Sequence, residues 1–330
     1  MLGDRIRVQQ GISSSCTDEE LLFVKQQGVD HVFAWFDDAH TDYDSVMFFM
    51  ERVRKAGLTI TDGGNTRIYK NPQFQLGLSE RDRAIEEYNR FNRILAKAGI
   101  PIVYMTWEPN QVLSTRYAVG EHMRGAKGRI VDMDELESRP YTHGRVYGEE
   151  EMWENFAYWL ERVLPVCEEE HIKIALHPND PPAESLVGIH NLIHSAECFR
   201  KAFRLSGNSP YLGMKMCFGC WLEGGAAFGN LMDDIQEFVG AGKVLIVHFR
   251  NVSAPGRYFE ETLLEDGYMN MYDAMKQLVR CDYDGLIHVD HVPEYAISCG
   301  GKHSAMAYST GYMKGLLHCA LQEVNSRKVL

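Results

Sequence analysis

Short apolar runs alternate with longer amphipathic stretches along the whole of this 330-residue chain, and that alternation restricts the possible folds more than any other feature. The runs fall at 6–10, 32–36, 59–62, 102–107, 173–177, 213–217, 244–250 and 286–292. Several are continuously apolar, as expected of parallel strands covered on both faces. Helical stretches follow them, the first opened by Thr17 as N-cap with Asp18, Glu19 and Glu20 behind it, the others at 46–56, 80–98, 149–170, 184–205, 231–239, 269–279 and 304–324. Gly28, Gly57 and Gly99 stand where helices should stop. Eight such units in strict order predict an α/β fold of the (β/α)8 barrel type. An open doubly wound sheet would need a Gly-rich phosphate turn after an early strand, and Asp62-Gly63-Gly64-Asn65 lacks that pattern.

The chain length suits one barrel domain over 1–330. The longest interruption, 108–148, follows the fourth strand and should rise over the barrel mouth. It carries Tyr117, His122, Arg124, Lys127, Arg129 and Arg145 among glycines. It reads either as a lid bringing cations to an anionic substrate or as a solvated insertion.

Lys and Arg number 34 against 46 Asp and Glu, a net charge of −12, which argues against a nucleic-acid partner. The N-terminus has no signal-like apolar core, and no apolar run is long enough to span a membrane. The 8 Cys show no disulfide framework, so a cytoplasmic protein is expected. Cys217-x-x-Cys220 lacks the second pair of a structural zinc site, and Cys220 reads as a buried or loop thiol.

Four side chains carry the chemistry. His177, Cys217, His248 and Asp290 lie near the C-terminal ends of four successive apolar runs. A lone His or Cys at a strand end is more often structural, whereas Asp290 inside an apolar strand needs a partner. At one level of one barrel mouth, the four together form a cage for a divalent metal. Thiolate with imidazole suits Zn²⁺ or Fe²⁺, and the carboxylate also tolerates Mn²⁺. His291 is the adjacent acid or base, and His288 reads as a core histidine. Trp107, Arg116 and Arg250 are expected substrate contacts, the arginines as carboxylate clamps; a surface ion pair is the competing reading for each arginine.

The segments Ala175-Leu176-His177-Pro178-Asn179-Asp180-Pro181-Pro182, Cys217-Phe218-Gly219, His248-Phe249-Arg250-Asn251-Val252, Tyr272-Asp273-Ala274-Met275-Lys276 and Asp290-His291 resemble those of the mannonate dehydratase family, and 311–316 resembles its last helix. The resemblance implies a TIM barrel that dehydrates D-mannonate to 2-keto-3-deoxy-D-gluconate with Mn²⁺ or Fe²⁺, Mn²⁺ being the expected ion. It puts the metal ligands on His177, Cys217, His248 and Asp290, and the catalytic His on His291; Asp290, beside it, is expected to share in the proton transfer. Asn179, where the family usually has Asp, joins the expected substrate contacts. Val292-Pro293 replaces a usual Gly-Arg, and the family's Tyr has no secure match among Tyr295, His303 and Tyr308. A sugar isomerase or epimerase on a similar barrel, or a non-catalytic sugar-acid binder, are the rival readings. The expected partner is a small sugar acid, with a homodimer as the expected assembly.

Overall fold

The structure, a computed structural model, describes residues 5–328. The barrel strands are β1 (Arg7–Ser13), β2 (His31–Trp35), β3 (Thr59–Gly64), β4 (Ile102–Thr106), β5 (Lys173–His177), β6 (Leu212–Cys217), β7 (Val244–His248) and β8 (Leu286–His288). They close in the order β1-β8-β7-β6-β5-β4-β3-β2, every pairing parallel. A helix separates each strand from the next, as the alternation predicts.

Local chemistry sets the boundaries. Thr17 and Glu20 form a reciprocal capping box, with Thr17 N donating to Glu20 Oε2 at 2.7 Å and Glu20 N to Thr17 Oγ1 at 3.2 Å. Gly28, Gly57 and Gly99 take φ of +67°, +74° and +87° directly after their helices, the left-handed stop that glycine permits. The stretch expected as one helix over 184–205 divides. A small hairpin pairs Ser185–Leu186 with Ile189–His190, and the helix starts only at Ala196, where the Ser195 hydroxyl caps Cys198 N. Gly188 at φ +89° in the turn accounts for the break.

Several expected strands run longer than the ladders. β7 stops at His248 and β8 at His288, so Arg250 and Asp290 lie beyond regular pairing. Asp290 adopts φ +57°, a strained value for a non-glycine residue. The chain turns there because its side chain is wanted at the mouth and not in the wall.

Residues after β4 form strands Arg116–Val119 and Lys127–Asp132, followed by the short helix Met133–Glu137. Lys127–Asp132 pairs with Tyr258–Thr262 of the segment after β7, which pairs in turn with Asn251–Val252. A four-stranded sheet thus ties the β4 and β7 excursions together. No helix among the described residues is long and apolar enough to cross a membrane.

Candidate active site

His177, Cys217, His248 and Asp290 end or immediately follow β5, β6, β7 and β8, four neighbouring strands. One donor atom from each lies within 4.8 Å of the other three. His177 Nε2 is 3.1 Å from His248 Nδ1, which is 3.1 Å from Asp290 Oδ2. Cys217 Sγ is 3.9 Å from the same carboxylate oxygen.

The residues fit a divalent metal. His177 Nδ1 lies 2.6 Å from the Pro178 carbonyl. A carbonyl only accepts, so Nδ1 carries the hydrogen and Nε2 turns a lone pair into the cluster, the arrangement of a metal-bound imidazole. Cys217 is held well below the usual thiol range: burial opposes this, but a hydrogen bond from Cys220 and the Arg250 charge outweigh it. Asp290 is likewise held well below the carboxylate range, with the neighbouring His248 and His291 overcoming its burial. A thiolate and a carboxylate beside two imidazoles suit a borderline cation better than an all-oxygen ion such as Mg²⁺.

His291 stands next to the cluster. Its Nδ1 is 2.8 Å from Glu261 Oε1 and its Nε2 is 3.7 Å from Asp290 Oδ1. Burial works against its charge, but Asp290 and Glu261 prevail and raise it to about 9. The other Asp290 oxygen, Oδ2, is the one facing His248 and Cys217. His288 sits one layer deeper, its Nδ1 accepting from Asp290 N at 3.1 Å. Burial and the nearby His248 keep it well below its ordinary value, so it is neutral. The core-histidine expectation understated it, since it braces the strained Asp290 backbone.

A dense charge network lies beside the cluster. Arg250 Nη1 reaches Glu223 at 2.6 Å and Glu261 at 3.1 Å, Nη2 reaches Asp180 at 2.9 Å and Cys217 Sγ at 3.4 Å, and Nε stands 3.3 Å from Asp290. Arg129, from the sheet over the mouth, pairs with Asp180 at 2.6 Å and Glu261 at 3.1 Å. Gly219 makes room for this, because a Cβ there would collide with the Arg250 guanidinium.

The structure places the four expected substrate contacts among protein groups or on the outer surface. Arg250 is fully buried, with its Nη donors engaged by protein acids and a thiolate. Arg116 lies on the exposed side of the accessory sheet, 3.7 Å from Glu135. Trp107 is packed among Phe74, Phe156 and Trp159 with no exposed surface. Asn179 is buried, its side chain bonding the Trp107 carbonyl at 2.8 Å and Ile193 N at 2.8 Å. An Asn that satisfies its own loop has no donor left for a ligand.

Two linked cavities contain the reactive groups. An outer one of about 620 Å³ is lined by Trp35, Tyr117, Arg129, Glu261, Asp290 and His291 among others. An inner recess of about 90 Å³ shares Trp35, Asp290 and His291 and adds Lys70, Tyr104 and Lys215. Tyr295, His303 and Tyr308 line neither cavity; Tyr308 bonds Glu265 and His303 stands near Glu20. The outer cavity has Tyr117, and the inner one Tyr69 and Tyr104. Sequence reasoning also missed Asp180, Glu223, Glu261 and Lys215. Lys215 alone carried a clear signal, a charge set within the apolar run Gly213-Met214-Lys215-Met216-Cys217.

A closed (β/α)8 barrel with these donors at its C-terminal mouth is the frame of a metal-assisted barrel enzyme. The chain belongs to the D-mannonate dehydratase family, whose model matches residues 115–328, and it is a dehydratase, a carbon–oxygen hydro-lyase. It is 29% identical over 283 residues to the mannonate dehydratase of Thermotoga maritima, covering 76% of this chain and 77% of that protein. With that of Lachnoclostridium phytofermentans it shares 27% over 287 residues, covering 74% and 76%. The crystal structure of mannonate dehydratase from Streptococcus suis superposes with a TM-score of 0.83 at 21% identity, covering 98% of this chain and 95% of that one. A structure of L-ribulose 3-epimerase shares the fold at a TM-score of 0.60 and 13% identity, covering 96% of each chain.

Proposed function

We propose that the enzyme removes water from D-mannonate or a close hexonate to give a 2-keto-3-deoxy sugar acid, using Mn²⁺ held by His177, Cys217, His248 and Asp290. The mutual approach of those four donor atoms within 4.8 Å, in a chain of this family, carries the reading. When bound, the cation supplies Lewis acidity toward substrate oxygens, which acidifies the proton α to the carboxylate.

The chain's own groups divide the proton work. Asp290 Oδ1, turned toward His291, takes the proton from C2. His291, raised to about 9 and therefore protonated at neutral pH, gives its Nε2 proton to the C3 hydroxyl as it leaves as water. The enol left behind tautomerises to the 2-keto acid. Asp290 then returns its proton to His291 across the 3.7 Å gap with a small side-chain movement. Glu261 holds His291 by Nδ1 so that Nε2 faces the substrate.

The segment 108–148 acts as a lid on the single barrel domain, with Tyr117 and Arg129 forming part of the cavity wall and limiting water. A reducing cytoplasm suits a site that depends on a free Cys217.

To test the reading, the protein is stripped with chelator, reloaded with Mn²⁺ and incubated with D-mannonate and a panel of hexonates. Formation of 2-keto acid that depends on added metal is expected. Silence across the panel would overturn it.

A further inference from the structure

The inner recess holds a charge that the proton chemistry does not use. Lys215 lies on β6 two residues before Cys217, so both side chains point into the barrel, with Lys215 a layer deeper. It is 3% exposed and lines the recess with His177, His248, Asp290 and His291. Its ammonium rests 3.2 Å from the centre of the Tyr104 ring, with Trp35 at 5.9 Å and Phe33 at 6.0 Å. A ring face can take one N–H; an ammonium has three.

The neighbouring cations have carboxylates of their own. Lys70 pairs with Glu108 at 2.6 Å. Arg129 and Arg250 pair with Asp180, Glu223 and Glu261. Asp62, whose charge acts on Lys215 through space without forming an ion pair, accepts from the Tyr104 hydroxyl at 2.6 Å and the Thr61 hydroxyl at 2.7 Å. Among the described residues, no carboxylate stands within ion-pairing distance of the Lys215 ammonium, and it makes no hydrogen bond. An ammonium buried without an ion-pair partner is costly, and an anionic ligand offsets that cost on arrival.

We propose that Lys215 binds the carboxylate of the substrate, seating the anionic end of the sugar acid in the inner recess while its hydroxyl-bearing carbons occupy the outer cavity. The recess of about 90 Å³ fits a planar carboxylate, and the 620 Å³ cavity above it fits the polyol chain. This orientation puts C2 and C3 beside Asp290 and His291, which border both cavities. Negative charge gathers on the carboxylate as the C2 proton leaves, so a fixed cation there favours the transition state over the bound substrate. The role expected of Arg250 thus falls to a lysine. The proposal rests on the sugar-acid reading above, but its test does not require turnover.

The test compares D-mannonate with its neutral amide, which has the same shape without the charge. Dissociation constants are measured by calorimetry on the metal-free full chain, and kcat/KM on the Mn²⁺-loaded enzyme. The wild type should prefer the acid over the amide. Lys215→Met should weaken D-mannonate binding by ~100-fold, leave the amide nearly unchanged and retain the metal content. Lys215→Arg should restore part of the preference. If Lys215→Met folds poorly, Lys215→Gln serves in its place. A wild type with no preference for the acid, equal losses for acid and amide, or a variant that keeps its D-mannonate affinity would each overturn the proposal. Binding with the expected preference but no keto acid product would instead refute the dehydration of this substrate and leave the role of Lys215 standing.

Discussion

Replacing Arg250 with methionine separates two roles for this residue. The side chain is fully buried and pairs with Asp180, Glu223 and Glu261, while its Nε and Nη2 lie 3.3 Å from Asp290 and 3.4 Å from Cys217. Methionine keeps much of the length and removes the charge. Arg129 still reaches Asp180, Glu223 and Glu261, but one guanidinium then faces two buried carboxylates, Asp180 and Glu261, with Glu223 protonated. Breaking a buried pair in this way costs about 3–5 kcal/mol, because it leaves uncompensated charge inside the protein. For a chain of this size that corresponds to a fall in melting temperature of roughly 4–7 °C. Metal affinity should fall by about 10–100-fold as well, since two candidate ligands lose the group that orients them. The assay is thermal and urea unfolding of the metal-free protein, followed by metal titration. Metal-free stability equal to wild type, with a raised KM as the sole defect, would refute this reasoning and restore Arg250 as a substrate clamp.

Three further outcomes are expected. Cys217→Ser should lose the metal on gel filtration and with it the activity, while its secondary structure by circular dichroism stays intact; full metal retention would contradict the ligand assignment. Burial, helped by the nearby Asp180, raises Glu223 to about 8, above its unfolded value, so the folded state holds a proton that the unfolded state releases. Stability should therefore fall as pH rises from about 5 to 8, by up to ~1.4 kcal/mol per pH unit from this group, and Glu223→Gln should flatten that slope in urea melts. Thr17→Ala removes the capping box far from the mouth and should cost about 1 kcal/mol with kcat/KM unchanged; a change in catalysis would show that the first helix is coupled to the site.

The barrel was legible because its signal repeats. The run 173–177, ended by the prolines from Pro178 on, reads as a strand, and the structure puts β5 at Lys173–His177. The misreadings occur where tertiary needs override the local pattern. Asp290 lies in what reads as a strand to residue 292, yet it takes φ +57° to present its carboxylate. Residues 184–195 look like the start of a helix, but a glycine turn and the Ser195 cap delay it.

The site was legible in its metal-competent ring and illegible in its supporting charges, and the difference is geometric. Residues at the ends of neighbouring parallel strands converge by construction, so the positions of His177, Cys217, His248 and Asp290 followed from the fold alone. Glu261 and Arg129 reach the mouth by antiparallel pairing between two excursions more than a hundred residues apart, Lys127–Asp132 against Tyr258–Thr262. No local pattern encodes that register. Position near a mouth does not by itself turn a side chain toward a ligand: Arg250 and Asn179 lie there but bond protein groups, because buried polar groups first have to satisfy one another. Applied to Lys215, the same rule points the other way. Its ammonium lacks a protein acid to pair with, and that makes it the group most open to a substrate anion.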